Sequence, residues 1–525
     1  MKKFINQLPF SLLPVFFATS FVLVEFNAAI SELYLHSVFW PIVIFSAFAW
    51  VIFALSIFFL KDSVKAEVFS AILLIPFLLF GAVVSLNWDF YFSVGNYALG
   101  KDRLLLLVWL GFCFWAFFTI KRTKKNLSAI VKFLFRVSLA AIIVPALLIT
   151  IYVVKRSALP PARSPLAMPK ALPAIDKNSL PDIYFILPED YSAPAVFKEY
   201  FHFDESSFVN FLKTTGFFVA NSATSNYPKS FLSLASILNL EYLDYLSVYK
   251  NSSDMSVVNP LIDNNNVMKF LRMFGYKYYQ LGSWWDPTKF NPSADENFTL
   301  ENSNRIGLDP FIYDLLDTTA LSPFLNELIP EVVIGDSDDD NRQRILYQFD
   351  KLSKIVSLPS PKFVFAHIIA PHGPYVFAKD CRFVSESQTS QKTEVENYVD
   401  QTNCINQKLE ASIKTIIATS QKPPVIVLVT DEGAPFLGKQ FPTGWDDWKT
   451  ASTALLREKF PILAAYYLPG VPTGSLYPSI SAVNSFREVF NLYFHAAFPI
   501  LPDRNFIFQD LSNLYQFTDV TQKVK

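Results

Sequence analysis

Four acidic residues fall in two adjacent pairs, Glu189-Asp190 and Asp431-Glu432, and each pair closes a short apolar run. The first run is PDIYFIL, Pro181–Leu187; the second is the VIVLV of PPVIVLVTDEG, Val425–Val429. Such runs read as buried strands. In an open α/β sheet, ligands bind outside the carboxyl ends of the strands, where these carboxylates stand. Hard divalent cations take carboxylate oxygens. Either pair alone reads as solvated loop residues. Both together, at two strand ends, read as a metal site made of Glu189, Asp190, Asp431 and Glu432.

Two further segments carry chemistry. NSATSNYPKSFLSLASILN, Asn221–Asn239, is dense in hydroxyls and ends in an apolar, helix-like run. A serine at the start of that helix sits in the positive field of the helix N-terminus, which, with a metal, favours an ionised, nucleophilic hydroxyl. Ser230 is the candidate; the alternative is that Ser225 or Ser230 only caps the helix. Lys229 offers a charge for an anionic group or is a solvated surface residue. AHIIAPHGPY, Ala366–Tyr375, brings two of the five histidines. His372, between proline and glycine, lies in a loop and can reach a ligand. His367, within or at the end of a strand, packs in the core or serves the substrate side.

The elements that hold these residues alternate. YKYYQLG (Tyr276–Gly282), KFVFAHII (Lys362–Ile369) and FPILAAYYLPG (Phe460–Gly470) read as further strands. Helical patterns lie between, at Val267–Phe274, Arg342–Ile355 and Val395–Ala418. The alternation predicts an α/β domain with a mostly parallel central sheet over residues 180–525.

The first third differs. Of 525 residues 51% are hydrophobic and 17% charged, with 53 Phe against 15 Gly, which excludes a single soluble enzyme and a disordered chain. Residues 1–156 hold 14 Lys and Arg against 6 Asp and Glu, and the remainder 31 against 40, giving +8 and −9. Five apolar stretches, Leu8–Val24, Phe39–Leu60, Val68–Leu86, Leu104–Ile120 and Val137–Val154, approach or reach the ~20 residues of a membrane-spanning helix. They predict a membrane domain, residues 1–156, with five transmembrane helices. Lys2, Lys3, Lys61, Lys65, Lys121, Arg122, Lys124 and Lys125 share one side, so the N-terminus is expected inside and everything after Val154 outside. Residues 157–179, with SALPPARSPLAMPKALP, read as an extended proline-rich linker. An oxidising compartment would let Cys381 and Cys404 pair.

The chemistry-bearing segments, in this order, resemble the alkaline phosphatase/sulfatase superfamily. PDIYFILPED resembles its first strand, whose terminal carboxylate binds metal, and places Glu189 at that ligand with Asp190 beside it. Ser230-Phe-Leu-Ser233 is similar to the family's nucleophile segment and implies Ser230 as the nucleophile. VIVLVTDEG resembles the strand ending Asp-His-Gly and places Asp431 and Glu432 at two metal ligands, Glu432 standing where His is usual. AHIIAPHGPYV is similar to the His-Gly-Pro segment of the phosphoethanolamine transferases, where the His serves the substrate side. No C-x-P-S-R segment is present, which speaks against a formylglycine sulfatase. Apolar spans before such a domain resemble lipoteichoic acid synthases and phosphoethanolamine transferases.

The resemblance implies a membrane-anchored, metal-dependent phosphotransferase or phosphoesterase working through a Ser230 phosphoryl-enzyme, with His372 as hydrogen-bond donor or acid. Its donor is expected to be a phospholipid or polyprenyl-linked phosphate, its acceptor a glycan, a lipid or water. An all-oxygen site favours Mn²⁺, Mg²⁺ or Ca²⁺ over Zn²⁺. The expected place is the cytoplasmic (inner) membrane, multi-pass, with the C-terminal domain periplasmic or extracellular. No nucleic acid partner is expected. The rival reading is a degenerate, non-catalytic binding or scaffold module; a transporter is disfavoured because the spans carry few charges.

Overall fold

The computed structural model describes residues 11–30, 33, 35–86, 91–94, 97–158, 161–169, 175–176, 179–300, 310–324, 338–434, 436–437, 447–472 and 474–525. Lys2, Lys3, Glu32 and Asp89, the start of the Leu8–Val24 stretch, and residues 159–160, 170–174 and 177–178 of the proline-rich linker lie outside them. The chain divides into two compact units, Met1–Pro160 with Asn302–Gly335, and Pro161–Glu301 with Asp336–Lys525.

The first unit is helical: α1 (Leu12–Ala28), α2 (Phe39–Leu60), α3 (Ser63–Leu78), α4 (Lys101–Arg122) and α5 (Ser128–Ala158). Among the described residues three helices, Leu35–Leu60, Lys101–Arg122 and Ser128–Ser157, are long and apolar enough to cross a membrane. The other two expected spans fall short on their own. Helix α1 has 17 residues, roughly 25 Å against a hydrocarbon core of ~30 Å. The stretch expected as Val68–Leu86 is divided: α3 carries Pro76 near its end and is followed by a five-residue helix, Phe80–Val84. A proline inside a helix removes a backbone donor and crowds the preceding turn.

Residues 302–335 were expected in the α/β domain, yet they group with the helical unit. Their described part holds α6 (Pro310–Asp317). Phe311, Leu315 and Ala320 are buried in one apolar cluster with Phe26, Phe45, Leu74 and Leu106. Phe26 and Phe311 meet edge to face at 6.1 Å. Backbone bonds fix the segment: Gly81 N donates to Thr318 O (2.7 Å) and Ala320 N to Phe77 O (3.0 Å). The physical reason for the regrouping is apolar burial: the segment's large side chains find their partners on the helices.

The second unit is α/β, as the alternation predicts. The strands of its central sheet are β1 (Ile183–Glu189), β2 (Phe218–Val219), β3 (Lys277–Leu281), β4 (Glu296–Phe298), β5 (Lys362–Pro371), β6 (Val425–Val429) and β7 (Ala464–Tyr467). They form one sheet in the order β2-β7-β6-β1-β5-β3-β4. Pairings from β6 to β4 are parallel; β7 is antiparallel to β6 and β2 to β7. Strands alternate their side chains, so the sheet has two apolar faces. One buries Ile183, Phe185, Leu187, Phe363, Phe365, Val425, Val427 and Val429 against α7 (Ser230–Asn239). The other buries Tyr184, Ile186, Val364, Ala366, Ile426 and Leu428 against α8 (Asp338–Lys354) and α9 (Glu394–Thr419). Cys381 and Cys404 form a disulfide that ties the loop after β5 to α9.

Candidate metal centre

The alternation that builds the core also places the candidate ligands. Ile183, Phe185 and Leu187 share a face of β1, and the next residue on that face is Glu189. On β5 the same step from Phe363 and Phe365 arrives at His367; on β6, from Val425, Val427 and Val429, it arrives at Asp431. Register brings them level, with Leu187 beside His367, and Phe185 beside Val427. Glu189, His367 and Asp431 are all buried, and one ligand atom from each lies within 4.8 Å of the others.

The fit to a cation rests on atoms without partners. Glu189 Oε2, His367 Nε2 and Asp431 Oδ2 are buried and make no hydrogen bond. Leaving such atoms unpaired is costly unless something coordinates them. His367 Nδ1 lies 2.8 Å from Thr288 Oγ1, which lies 2.7 Å from Ser283 Oγ. Ser283 Oγ directs its proton to the Trp285 carbonyl (3.4 Å). The Thr288 hydroxyl can donate to Ser283 or to Trp285 O and then accept from His367 Nδ1–H, the tautomer whose Nε2 lone pair faces the carboxylates. The donor set of two carboxylates and one neutral imidazole suits a divalent cation, and its nitrogen admits Zn²⁺ as well as Mn²⁺.

Ser230 is the first residue of α7, on the same face. Neither it nor Ser225 caps the helix: Ser230 Oγ donates to Glu189 Oε1 at 2.9 Å, and Ser225 Oγ to Tyr227 O. Burial opposes ionisation of Glu189, but in the ion-free site a His367 that carries its proton on Nε2, the charge of His372 and the Ser230 hydroxyl together hold its carboxyl down at about 2. Asp431 is pushed up to about 6, by burial first and then by the Glu189 charge, with His367 opposing.

The expected set of four carboxylates is divided. Asp190 and Glu432, one residue beyond the ligand face, both pair with Lys459, at the end of α10 (Thr453–Lys459): Nζ is 3.2 Å from Asp190 Oδ1 and 3.0 Å from Glu432 Oε1. Asp190 turns there with φ of 57°, in the left-handed region. Gly433 lets the loop lie on the helix end: its N donates to Lys459 O at 2.8 Å, and a Cβ would sit 2.9 Å from that oxygen. Burial raises Glu432 well above the usual carboxylate range despite Lys459.

His372 is half-exposed, with Nε2 3.9 Å from Asp190 Oδ2. A register shift between Pro188 and Glu189 pairs Glu189 with Pro371, and His372 N donates to Glu189 O (3.3 Å). Gln401 of α9 holds the loop through His372 O (2.8 Å). Burial lowers the His372 pKa, yet the charges of Glu189 and Asp190 raise it above its ordinary value. Lys229, half-buried, precedes Ser230.

Sequence reasoning missed three residues. His367 was expected in the core or on the substrate side and is grouped with the ligands; the alternation Phe363, Phe365, His367 is the signal that could have found it. Lys459 and Thr288 carry no local signal, since neither belongs to a strand end.

A sulfatase family model matches residues 181–463. No curated protein matches by sequence. Among solved structures, the C-terminal periplasmic domain of EptC from Escherichia coli is 13% identical, covering 67% of this chain and 97% of that one, with a TM-score of 0.42. The C-terminal periplasmic domain of the phosphoethanolamine transferase EptC from Campylobacter jejuni is 12% identical, covering 64% and 94%, with 0.35. A 2-O GAG sulfatase is 12% identical, covering 61% and 71%, with 0.40.

Proposed function

The chain belongs to the sulfatase family, whose model spans over half of it, and from that premise we propose a membrane-anchored, metal-dependent phosphotransferase or phosphoesterase. Its substrates are lipid- or glycan-linked phosphate esters outside the cytoplasmic membrane. The observation that carries this reading is the Ser230 hydroxyl, at the N-terminus of α7 and 2.9 Å from Glu189, on the face where Glu189, His367 and Asp431 converge.

Glu189, His367 and Asp431 would hold a divalent cation, which when bound would supply Lewis-acid polarisation of a phosphoryl oxygen. Ser230 Oγ, its proton directed at Glu189 Oε1, forms the bond to phosphorus in the field of the helix N-terminus. His372, half-exposed and biased towards its charged form, protonates the departing oxygen. An acceptor hydroxyl or water then displaces Ser230. Lys229 adds charge for the anionic headgroup. The absence of a C-x-P-S-R segment favours phosphoryl over sulfate esters. The apolar helices keep the site near lipid, and the basic loops with the Cys381–Cys404 disulfide support an extracytoplasmic domain.

The test uses the full chain in detergent with headgroup-labelled phospholipid and excess Mn²⁺. Expected results are release or transfer of the headgroup phosphate, label trapped on Ser230, and loss of at least about 10³-fold in turnover in Ser230→Ala. Faster turnover of an aryl sulfate than of any phosphate ester would overturn the reaction class, and full activity of Ser230→Ala the nucleophile.

A further inference from the structure

Positive charge gathers at one end of the helical unit. Residues 61–67 and 121–125 hold Lys61, Lys65, Lys121, Arg122, Lys124 and Lys125 against Asp62 and Glu67, a balance of +4. Beside them a groove opens between α3, α4 and the start of α5. Its α4 wall is one helix face: Phe112, Ala116 and Thr119, at i, i+4 and i+7, with Thr123 just past the helix end. Val68 and Ile72 line the α3 side. Ala116, 3% exposed, is the floor. The Thr119 hydroxyl donates to Trp115 O at 2.9 Å, so its proton is already used within the helix. Phe112 and Thr123 are eleven residues apart, which at 1.5 Å per residue is about 16 Å. That matches one leaflet of a ~30 Å hydrocarbon core. The groove volume is about 210 Å³, below the ~300–1,000 Å³ of a site that encloses a compact ligand. It suits a chain laid lengthwise.

Lys65 stands at the basic end of this groove. It shares the α3 face of Val68 and Ile72, at i, i+3 and i+7. Its Nζ donates to Lys121 O at 3.2 Å, which holds the ammonium at the end of α4 and uses one of its three protons. Lys121 and Arg122 lie instead over Phe117 and Phe118, at 5.3 and 5.8 Å. Lys124 and Lys125, both exposed, continue the basic rim.

We propose that this groove binds an anionic phospholipid of the leaflet at the basic end, with one acyl chain along α3 and α4 and the phosphate at Lys65. Basic side chains at this depth attract anionic headgroups. A second copy of the chain is a poorer occupant, because it would bring the same balance of +4 against its like. By the bias of the basic loops that leaflet is the inner one. The lipid is therefore a resident ligand of the helical unit and not a substrate of the α/β unit.

The experiment incubates the full chain in detergent with equimolar phosphatidylglycerol and phosphatidylcholine, desalts it, and counts lipids per chain by native mass spectrometry. One phosphatidylglycerol per chain is expected, retained at least about tenfold over the zwitterionic lipid. Lys65→Gln should lower that retention about fivefold, the share of one cation near the surface, and Lys65→Arg should keep it. Thr119→Trp fills the groove from its exposed rim and should abolish retention. Lys101→Gln, at the other end of α4, should change nothing. Equal retention of the two lipids by the wild type, or none, overturns the proposal, and this comparison requires no variant to fold. Unchanged retention in Lys65→Gln or Thr119→Trp, or an equal loss in Lys101→Gln, overturns the placement of the lipid in this groove.

Discussion

His367 Nε2 and Glu189 Oε2 face each other at 3.3 Å, both buried, without hydrogen-bond geometry between them or to any other group. With Nδ1–H donating to Thr288 on the far side of the ring, Nε2 is an acceptor. Two acceptors opposed in a dry place repel unless a cation lies between their lone pairs.

Cation binding requires Asp431 ionised, and its carboxyl sits at about 6. Protons therefore compete below that value. Mn²⁺ affinity of the full chain is expected to be flat above about pH 7 and to weaken about tenfold per pH unit well below pH 6. Calorimetric titration at several pH values measures it; constant affinity from pH 7 to 4.5 would remove Asp431 from the ligand set.

Thr288 fixes the His367 tautomer without touching the ion. Thr288→Val should weaken Mn²⁺ binding by about 10–100-fold, while Thr288→Ser, which keeps the hydroxyl, should restore it. Equal losses in both variants would mean that the side chain only packs.

Glu205 offers a pH dependence outside the metal centre. Its Oε1 accepts hydrogen bonds from Tyr191 and from Asn406 (2.7 Å). Burial pushes the carboxyl up to about 7, against those two bonds, whereas an unfolded Glu titrates near 4.3. Between these values the folded chain keeps a proton that the unfolded chain has lost. Stability thus falls as pH rises through the window, by on the order of 3 kcal/mol, and levels off above it. Melting curves of the wild type and Glu205→Gln from pH 4.5 to 8 should differ in slope only there; parallel curves would refute the assignment.

Gly433 is the point where a side chain cannot fit. A Cβ would meet the carbonyl oxygens of Lys459, Glu458 and Pro461 at 2.9, 3.0 and 3.1 Å. Gly433→Ala is expected to cost about 1–3 kcal/mol, read as a lowered Tm, with Mn²⁺ affinity reduced as Glu432 and Asp431 shift. An unchanged Tm would show that the loop can yield.

The alternation in DIYFILPE, KFVFAHIIAP and VIVLV made the sheet legible, and the acidic ends of the first and third runs made two of the three members of the ligand group legible. The third depends on register between strands far apart in sequence. Nothing local says that His367 stands beside Leu187, so an imidazole in an apolar run reads as core. Lys459 shows the same limit for charge: Asp190, Glu432 and Lys459 span 269 residues, and only the fold reveals that one ammonium serves both acids. The third apolar stretch, Val68–Leu86, is divided where Pro76 stands near the end of α3, a break that apolar length alone does not show.

The segment 302–335, which groups with the helical unit before the chain returns to the α/β unit at 336, changes what a cut can release. A protease acting in the proline-rich linker severs one chain crossing of three, and the α/β unit stays covalently joined to the helical unit through residues 302–335. A gene cut at the linker, from residue 161 onward, would express Phe311, Leu315 and Ala320 without the helices that bury them, so such a fragment should be sticky in water. Secretion of a free head therefore needs that whole excursion excised, not only the anchor removed.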